Sequence, residues 1–198
     1  MSFLLAVAPR PAAHVVPTPG APVSGLRRVA VAIAALVGVL AALFVATPPA
    51  SATVPARTAL ESSIAWAVKS LIVTERAASG RGYVYMSSQL QLSARRHDVT
   101  MAAYNTMSHQ LPGEPSFGTR ENQAGYYWNY AGENIAWNSA MSLSGALTLE
   151  KMMFNEVAPN NAHRLNILNS HFRDVGVDVY MDWTHRKLWL TVDFGHRS

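Results

Sequence analysis

The chain has 198 residues, 49% hydrophobic and 14% charged, with a formal net charge of +4 and no cysteine. That length suffices for one domain with a sizeable core, and the missing cysteines exclude disulfide staples and thiolate metal ligands. Arg10, Arg27 and Arg28 precede Thr53 and every acidic residue follows it, so the remainder carries 13 basic against 12 acidic residues, with no dense basic run to hold nucleic acid.

Residues 1–25 are rich in proline and alanine, without helical or strand periodicity. They read as a disordered leader, or as a start codon placed too early. Residues 26–52 read as a signal peptide. Arg27 and Arg28 precede an uncharged run of 18 residues from Val29 to Ala46, and Ala50-Ser51-Ala52 offers an Ala-x-Ala cleavage site. The run is also just long enough to span a bilayer, so an uncleaved N-terminal anchor is the rival reading. Either way the rest of the chain is expected outside the cytoplasm, secreted or anchored and facing outward.

Residues 53–60 read as a linker and 61–198 as one domain. Helical spacing marks a first helix from Glu61 to Ser79, stopped by Gly80 and Gly82. "YVYM" is a short extended piece. A second helix starts at a Ser87 or Ser88 cap and ends near Met107. Residues 110–131, with two prolines, three glycines and the group Tyr126, Tyr127, Trp128 and Tyr130, read as a long loop. "GENIAWN" is a short strand. "LSGALTLEKMMFNEVA" is a third helix that carries Glu156 near its C-terminus and stops at Pro159, and "RLNILN" is a single helical turn. The end alternates as a hairpin, Val175, Val177, Val179 and Met181 on one arm, and Leu188, Leu190 and Val192 against Trp189, Thr191 and Asp193 on the other. Helices before and between short strands, with a terminal hairpin, predict an α+β fold with an antiparallel sheet covered by helices.

Several segments then add up to a resemblance. "TERAASG", "TMSHQ", "AGENIAW", "MMFNE" and "NNAHRLNIL", followed by "DVGVDVY" and "LWLTVDFGH", stand in an order similar to that of the CAP superfamily, the SCP-like group of cysteine-rich secretory, antigen 5 and pathogenesis-related proteins, in its bacterial secreted form. The match runs over roughly residues 62–196. It implies a three-layer α-β-α sandwich with a central cleft and a tetrad of two His and two Glu: His109, Glu133, Glu156 and His163. Three positions depart from the pattern. Val73 stands where an Asn is frequent, Met153 where a Trp often opens the Trp-x-x-Glu stretch, and Ala162 where a Gly usually precedes the second His. The last would add cost if the backbone there were left-handed.

Two imidazoles and two carboxylates offer nitrogen and oxygen ligands suited to Zn2+ or another divalent cation. The same groups could do acid/base work, with Glu133 or Glu156 as the base of a metal-dependent hydrolase, peptidase- or nuclease-like. The tetrad spacing of 24, 23 and 7 residues matches no short metal motif, and no Ser sits in a recognisable nucleophile elbow. The expected function is therefore a binding module of the cell envelope or extracellular space. Its cleft would hold a divalent ion, with a lipid, glycan, cell-wall or protein ligand nearby. Plainer roles stand beside these. A His–Glu hydrogen bond can simply tie loop to helix, and Glu133 could pair with Arg164, which is expected to make a structural ion pair. His97 reads as a core histidine, and His171, His185 and His196 as exposed. Asn134 and Asn166 are expected to satisfy buried backbone groups in loops. The aromatic group is either a ligand platform or a cover over the sheet.

Overall fold

The computed structural model describes residues 54–197. The leader, the apolar run and the Ala-x-Ala site lie outside them, and so do the expectations of cleavage or anchoring. Among the described residues no helix is long and apolar enough to cross a membrane. The elements are α1 (Ala59–Ala78), β1 (Tyr85–Met86), α2 (Ser88–Tyr104), α3 (Phe117–Gln123), β2 (Tyr130–Asn138), α4 (Leu143–Phe154), α5 (Ala162–Ile167), β3 (Asp174–Asp182) and β4 (Lys187–His196).

Local chemistry sets the helix ends. Thr58 caps α1, accepting from the Glu61 backbone N–H at 3.1 Å while the Glu61 carboxylate accepts from the Thr58 N–H at 2.8 Å, a reciprocal capping box. Ser87 and Ser142 cap α2 and α4 through their hydroxyls. Asn105 ends α2 in the left-handed region, at φ 49°, which Asn tolerates better than most side chains. Helix α4 stops at Phe154 with Asn155 as its cap, so Glu156 lies beyond the helix and not within it as expected.

The sheet order is β1-β3-β4-β2. Strands β3, β4 and β2 pair antiparallel, and the two-residue β1 adds parallel to β3, so the sheet is mixed where the periodicity predicted an antiparallel one. Side chains alternate across it. On one face Val175, Val177, Val179 and Met181 of β3, with Leu188, Leu190, Val192 and Phe194 of β4, pack on Ile64, Val68 and Ile72 of α1 and Leu149 and Met153 of α4. Each such buried side chain stabilises the fold by about 1.5–3 kcal/mol. The opposite face carries α2 and α3 and is far more polar. There Arg95 of α2 meets Asp178 at 3.4 Å, and the Thr191 hydroxyl donates to Asp98 at 2.6 Å. Trp189, Thr191 and Asp193, the polar side of the predicted alternation, are thus as buried as the apolar side. With both faces covered, the three-layer α-β-α sandwich stands.

Gly176 is where α2 lands on the sheet. A Cβ there would sit 2.2 Å from the Leu90 carbonyl carbon and 2.3 Å from the Gln91 nitrogen, so backbone rests on backbone. The 110–131 stretch is not a bare loop. It holds α3, and its aromatic group divides. Tyr126 is buried over Gly195 and donates to Asp174 at 2.8 Å, and Trp128 donates to the Gly118 carbonyl at 3.3 Å. Tyr127 and Tyr130 face solvent, Tyr130 stacked on His171 at 4.4 Å.

Candidate functional site

Glu133 lies on edge strand β2, opposite Asp193 of β4, and its side chain enters the polar layer. His109 sits in the loop after α2 and approaches from outside, its Nδ1 2.8 Å from Glu133 Oε1. Arg120 of α3 donates to Glu133 Oε2 and, at 3.0 Å, to the His109 carbonyl. His97 lies behind, fully buried as expected of a core histidine. Its Nδ1 is 2.8 Å from Glu114 Oε1 and its Nε2 is 3.8 Å from Glu133 Oε2. Burial alone would push the Glu133 carboxyl up. His97, His109 and Arg120 outweigh it and hold the group at about 2. Glu133 is therefore a locked carboxylate at neutral pH.

The second pair forms at the start of α5. Glu156 Oε1 lies 2.5 Å from His163 Nδ1, and its Oε2 accepts the His163 backbone N–H at 3.0 Å. That carboxylate thus caps the start of α5 as well as orienting the imidazole. Asn134 and Asn166 fix the register between β2 and α5. The Asn134 amide donates to the His163 carbonyl at 3.1 Å, and the Asn166 amide donates to Asn134 Oδ1 at 2.9 Å and to the Glu133 carbonyl at 3.3 Å. Both satisfy buried backbone groups as expected, but from a strand and a helix and not from loops. Ala162 is not among the residues with positive φ, so the expected cost of replacing Gly does not arise.

The tetrad residues thus form two His–Glu pairs, His109–Glu133 at β2 and Glu156–His163 at the start of α5. Among the described residues no three His, Asp or Glu side chains converge on a point that could hold a metal ion. Each imidazole meets its carboxylate through Nδ1, the arrangement that second-shell carboxylates use to fix the tautomer of a metal-ligating histidine. Arg164 does not pair with Glu133. Its guanidinium donates to the Phe154 carbonyl and lies 4.4 Å over the Phe154 ring. His171 and His185 are exposed, and His196 is half-buried.

Residue spacing did not reveal Arg120, Glu114, Glu121 or Asp193, which surround Glu133. Nor did it show the pocket of about 330 Å³ beside His163 and Glu156, walled by Met107, Ile135, Trp137, Leu149 and Met153. The unusual Met153 forms part of that wall. A flexible thioether fills an irregular wall less rigidly than an indole would.

Comparison with known proteins places the fold. The model of the family described as "CAP: Cysteine-rich secretory protein family" matches residues 70–194. No curated protein sequence matches the chain. An extracellular SCP-domain protein of Bacillus anthracis is similar at 25% identity and TM-score 0.59, covering 69% of this chain and 41% of that one. The chain thus spans well under half of that protein's length. An outer surface protein of Borrelia burgdorferi is similar at 18% identity and TM-score 0.59, over 69% of this chain and 94% of that one. NaASP2, in a structure with Zn2+, is similar at 12% identity and TM-score 0.52, over 71% and 84% of the two chains.

Proposed function

The chain belongs to the cysteine-rich secretory protein (CAP) family, and from that premise we propose an exported binding module of the cell envelope or extracellular space. Its cleft holds a divalent cation beside a pocket that accepts the apolar part of a lipid. The observation that carries this reading is the juxtaposition of the Glu156–His163 pair with the roughly 330 Å³ apolar pocket that the same two residues help to line. Ligand pockets combine an apolar wall with a few placed polar groups in just this way.

In this reading His109 and His163 supply nitrogen to the ion, and Glu133 and Glu156 orient the imidazoles. Two nitrogen ligands are fewer than the three protein ligands of catalytic zinc sites, so binding is weak and open to exchange. When bound, the ion supplies a Lewis acid able to polarise a ligand oxygen. The geometry favours binding over hydrolysis. A carboxylate held at about 2 is a poor proton acceptor near neutral pH, which leaves Glu156 as the better of the two candidate bases.

The test is thermal unfolding of the purified protein, stripped with chelator and titrated with zinc. Saturation at a hundredfold over the dissociation constant adds about 2.7 kcal/mol and raises the melting temperature accordingly. The His109→Ala/His163→Ala double variant, still folded, abolishes the rise. No rise in the parent protein would make the tetrad a purely structural hydrogen-bonded cluster. For the pocket, Met153→Trp is expected to weaken binding of a fluorescent fatty acid analogue about tenfold, on the scale of a few lost methylene contacts. Unchanged affinity would exclude the pocket as the lipid site.

A further inference from the structure

Helix α5 has two working faces. His163, Asn166 and Ile167 turn inward, Leu165 is exposed and Arg164 half-buried, and Leu168, just past the helix, packs half-buried against the core. Beside Arg164 and Leu165 lies a second pocket of about 390 Å³, lined by Arg81 and Arg164 with Asn161, Asn169 and Ser170. It lies apart from the apolar pocket and shares no lining residue with it.

Its walls are built and held by cations. Arg76, fully buried beneath, donates to the carbonyls of Gly82 at 2.9 Å, Ile167 at 2.6 Å and Asn169 at 3.0 Å. Its Nη2 is buried without a partner. Arg173 donates to the carbonyls of Ser170 at 2.6 Å and Phe172 at 2.9 Å. Among the described residues none of Arg76, Arg81, Arg164 and Arg173 makes an ion pair with a carboxylate. The nearby acids have other partners, although Glu75 also feels the charge of Arg164 without forming an ion pair with it. Glu156 serves His163, and Glu75 is hydrogen-bonded to Glu150. Burial, and then the charges of Arg173 and Arg81, push the Arg76 guanidinium down, the sign of cations crowded without counter-charge.

The donors match an oxyanion. Asn161 caps α5 without a side-chain hydrogen bond, and Asn169 turns its Oδ1 to the His171 N–H at 2.9 Å, so its amide N–H groups point away from that bond. Guanidinium forks, amides and a hydroxyl together offer more donors than the two oxygens of a carboxylate can use, but suit the several oxygens of a phosphate. Leu165 and Leu168 at the rim supply apolar contact for a carbon skeleton. We propose that this pocket binds a phosphate ester. The group could come from a soluble or polymeric glycerol or sugar phosphate, or from a lipid headgroup.

The experiment uses the purified protein with glycerol 3-phosphate in calorimetry, and with vesicles of phosphatidylglycerol against phosphatidylcholine in co-sedimentation. Saturable binding in either arm is expected, weakened about tenfold by Arg81→Gln, the order of one lost charge-assisted hydrogen bond. Arg81 is exposed, so its variant leaves the fold intact. Arg164→Lys keeps the charge, removes the fork and weakens binding likewise. Binding to glycerol 3-phosphate identifies a soluble or polymeric ester as the source, and binding to anionic vesicles alone identifies a headgroup. His109→Ala/His163→Ala leaves either unaffected, which separates this pocket from the tetrad. Absence of binding in both arms, or binding that Arg81→Gln leaves unchanged, overturns the proposal.

Discussion

Arg120→Met is expected to cost about 3–5 kcal/mol of folding free energy at pH 7, the penalty for stranding one partner of a buried ion pair. Arg120 lies almost wholly inside the protein and bonds the equally buried Glu133. Methionine keeps the length of the side chain and removes the charge. Glu133 then keeps only His109 at 2.8 Å and the more distant His97 at 3.8 Å, while Asp193 and Glu121 remain close by. Adding Glu133→Gln to Arg120→Met removes the stranded charge and is expected to recover most of the loss. Urea unfolding of the two variants measures both steps. A loss under about 1 kcal/mol in the single variant, the range of surface ion pairs, would show that Arg120 is not what compensates Glu133. The same experiment bears on function, since Arg120 also donates to the His109 carbonyl and so helps to hold the loop that carries that imidazole.

The second large effect is a fall in stability as pH rises from about 5 to 8. Three pairs of buried carboxyl groups join elements distant in the chain: Glu75 with Glu150 between α1 and α4 within one helical layer, and, between a helix and the sheet, Asp98 with Asp178 (α2 and β3) and Glu121 with Asp193 (α3 and β4). Two adjacent buried carboxylates cannot both ionise cheaply, so one proton is shared within a pair. Burial raises Glu75 to about 7, although its bond to Glu150 and the charges of Lys151 and Arg164 oppose the rise. Burial raises Glu121 to about 8. Glu150, Asp98 and Asp193 are raised well above the carboxylate range by burial and then by the neighbouring acid. An acid whose folded value is raised binds its proton more tightly in the native state. Its contribution is complete below the unfolded value near 4.5 and is lost as pH rises through 7 to 8. Glu133 runs the other way, contributing above 4.5 and losing that contribution as pH falls toward 2. Maximal stability is therefore expected near pH 5, with the melting temperature lower by about 5 °C or more at pH 8. Glu150→Gln replaces the protonated acid by a neutral amide. It should flatten the alkaline limb and raise the melting temperature at pH 8. A parent profile without an alkaline decline, or a Gln variant no more stable than the parent at pH 8, would show that these pairs are not protonated.

These two results turn on residues of different legibility. The tetrad could be found because its members sit in short ordered stretches, "MSH", "GEN", "FNE" and "AHR". The partners that set its electrostatics come from elsewhere in the chain. Arg120 lies in a seven-residue helix whose glycine and polar residues give no apolar stripe, so the segment looked like loop. Asp193 stands in an alternating strand, where period-two patterning assigns polar residues to a wet face. In this sheet that face is covered by α2 and α3, and the acid is buried beside Glu121. Burial on both faces cannot be read from one strand, because it depends on which helices arrive from distant parts of the chain.

Helix caps, the hairpin and the apolar layer of α1, β3 and β4 follow from near neighbours along the chain, since they rest on periodicity and on hydrogen bonds within a few residues, whereas the four tetrad residues are named only through the resemblance of ordered motifs to the CAP family. The division of the tetrad into two pairs, the locking of Glu133, the sharing of protons between buried acids and the arginine-walled pocket beside α5 arise only in the folded molecule. Each depends on charges brought together from distant parts of the chain, and their energies are set by the water that packing removes from around them.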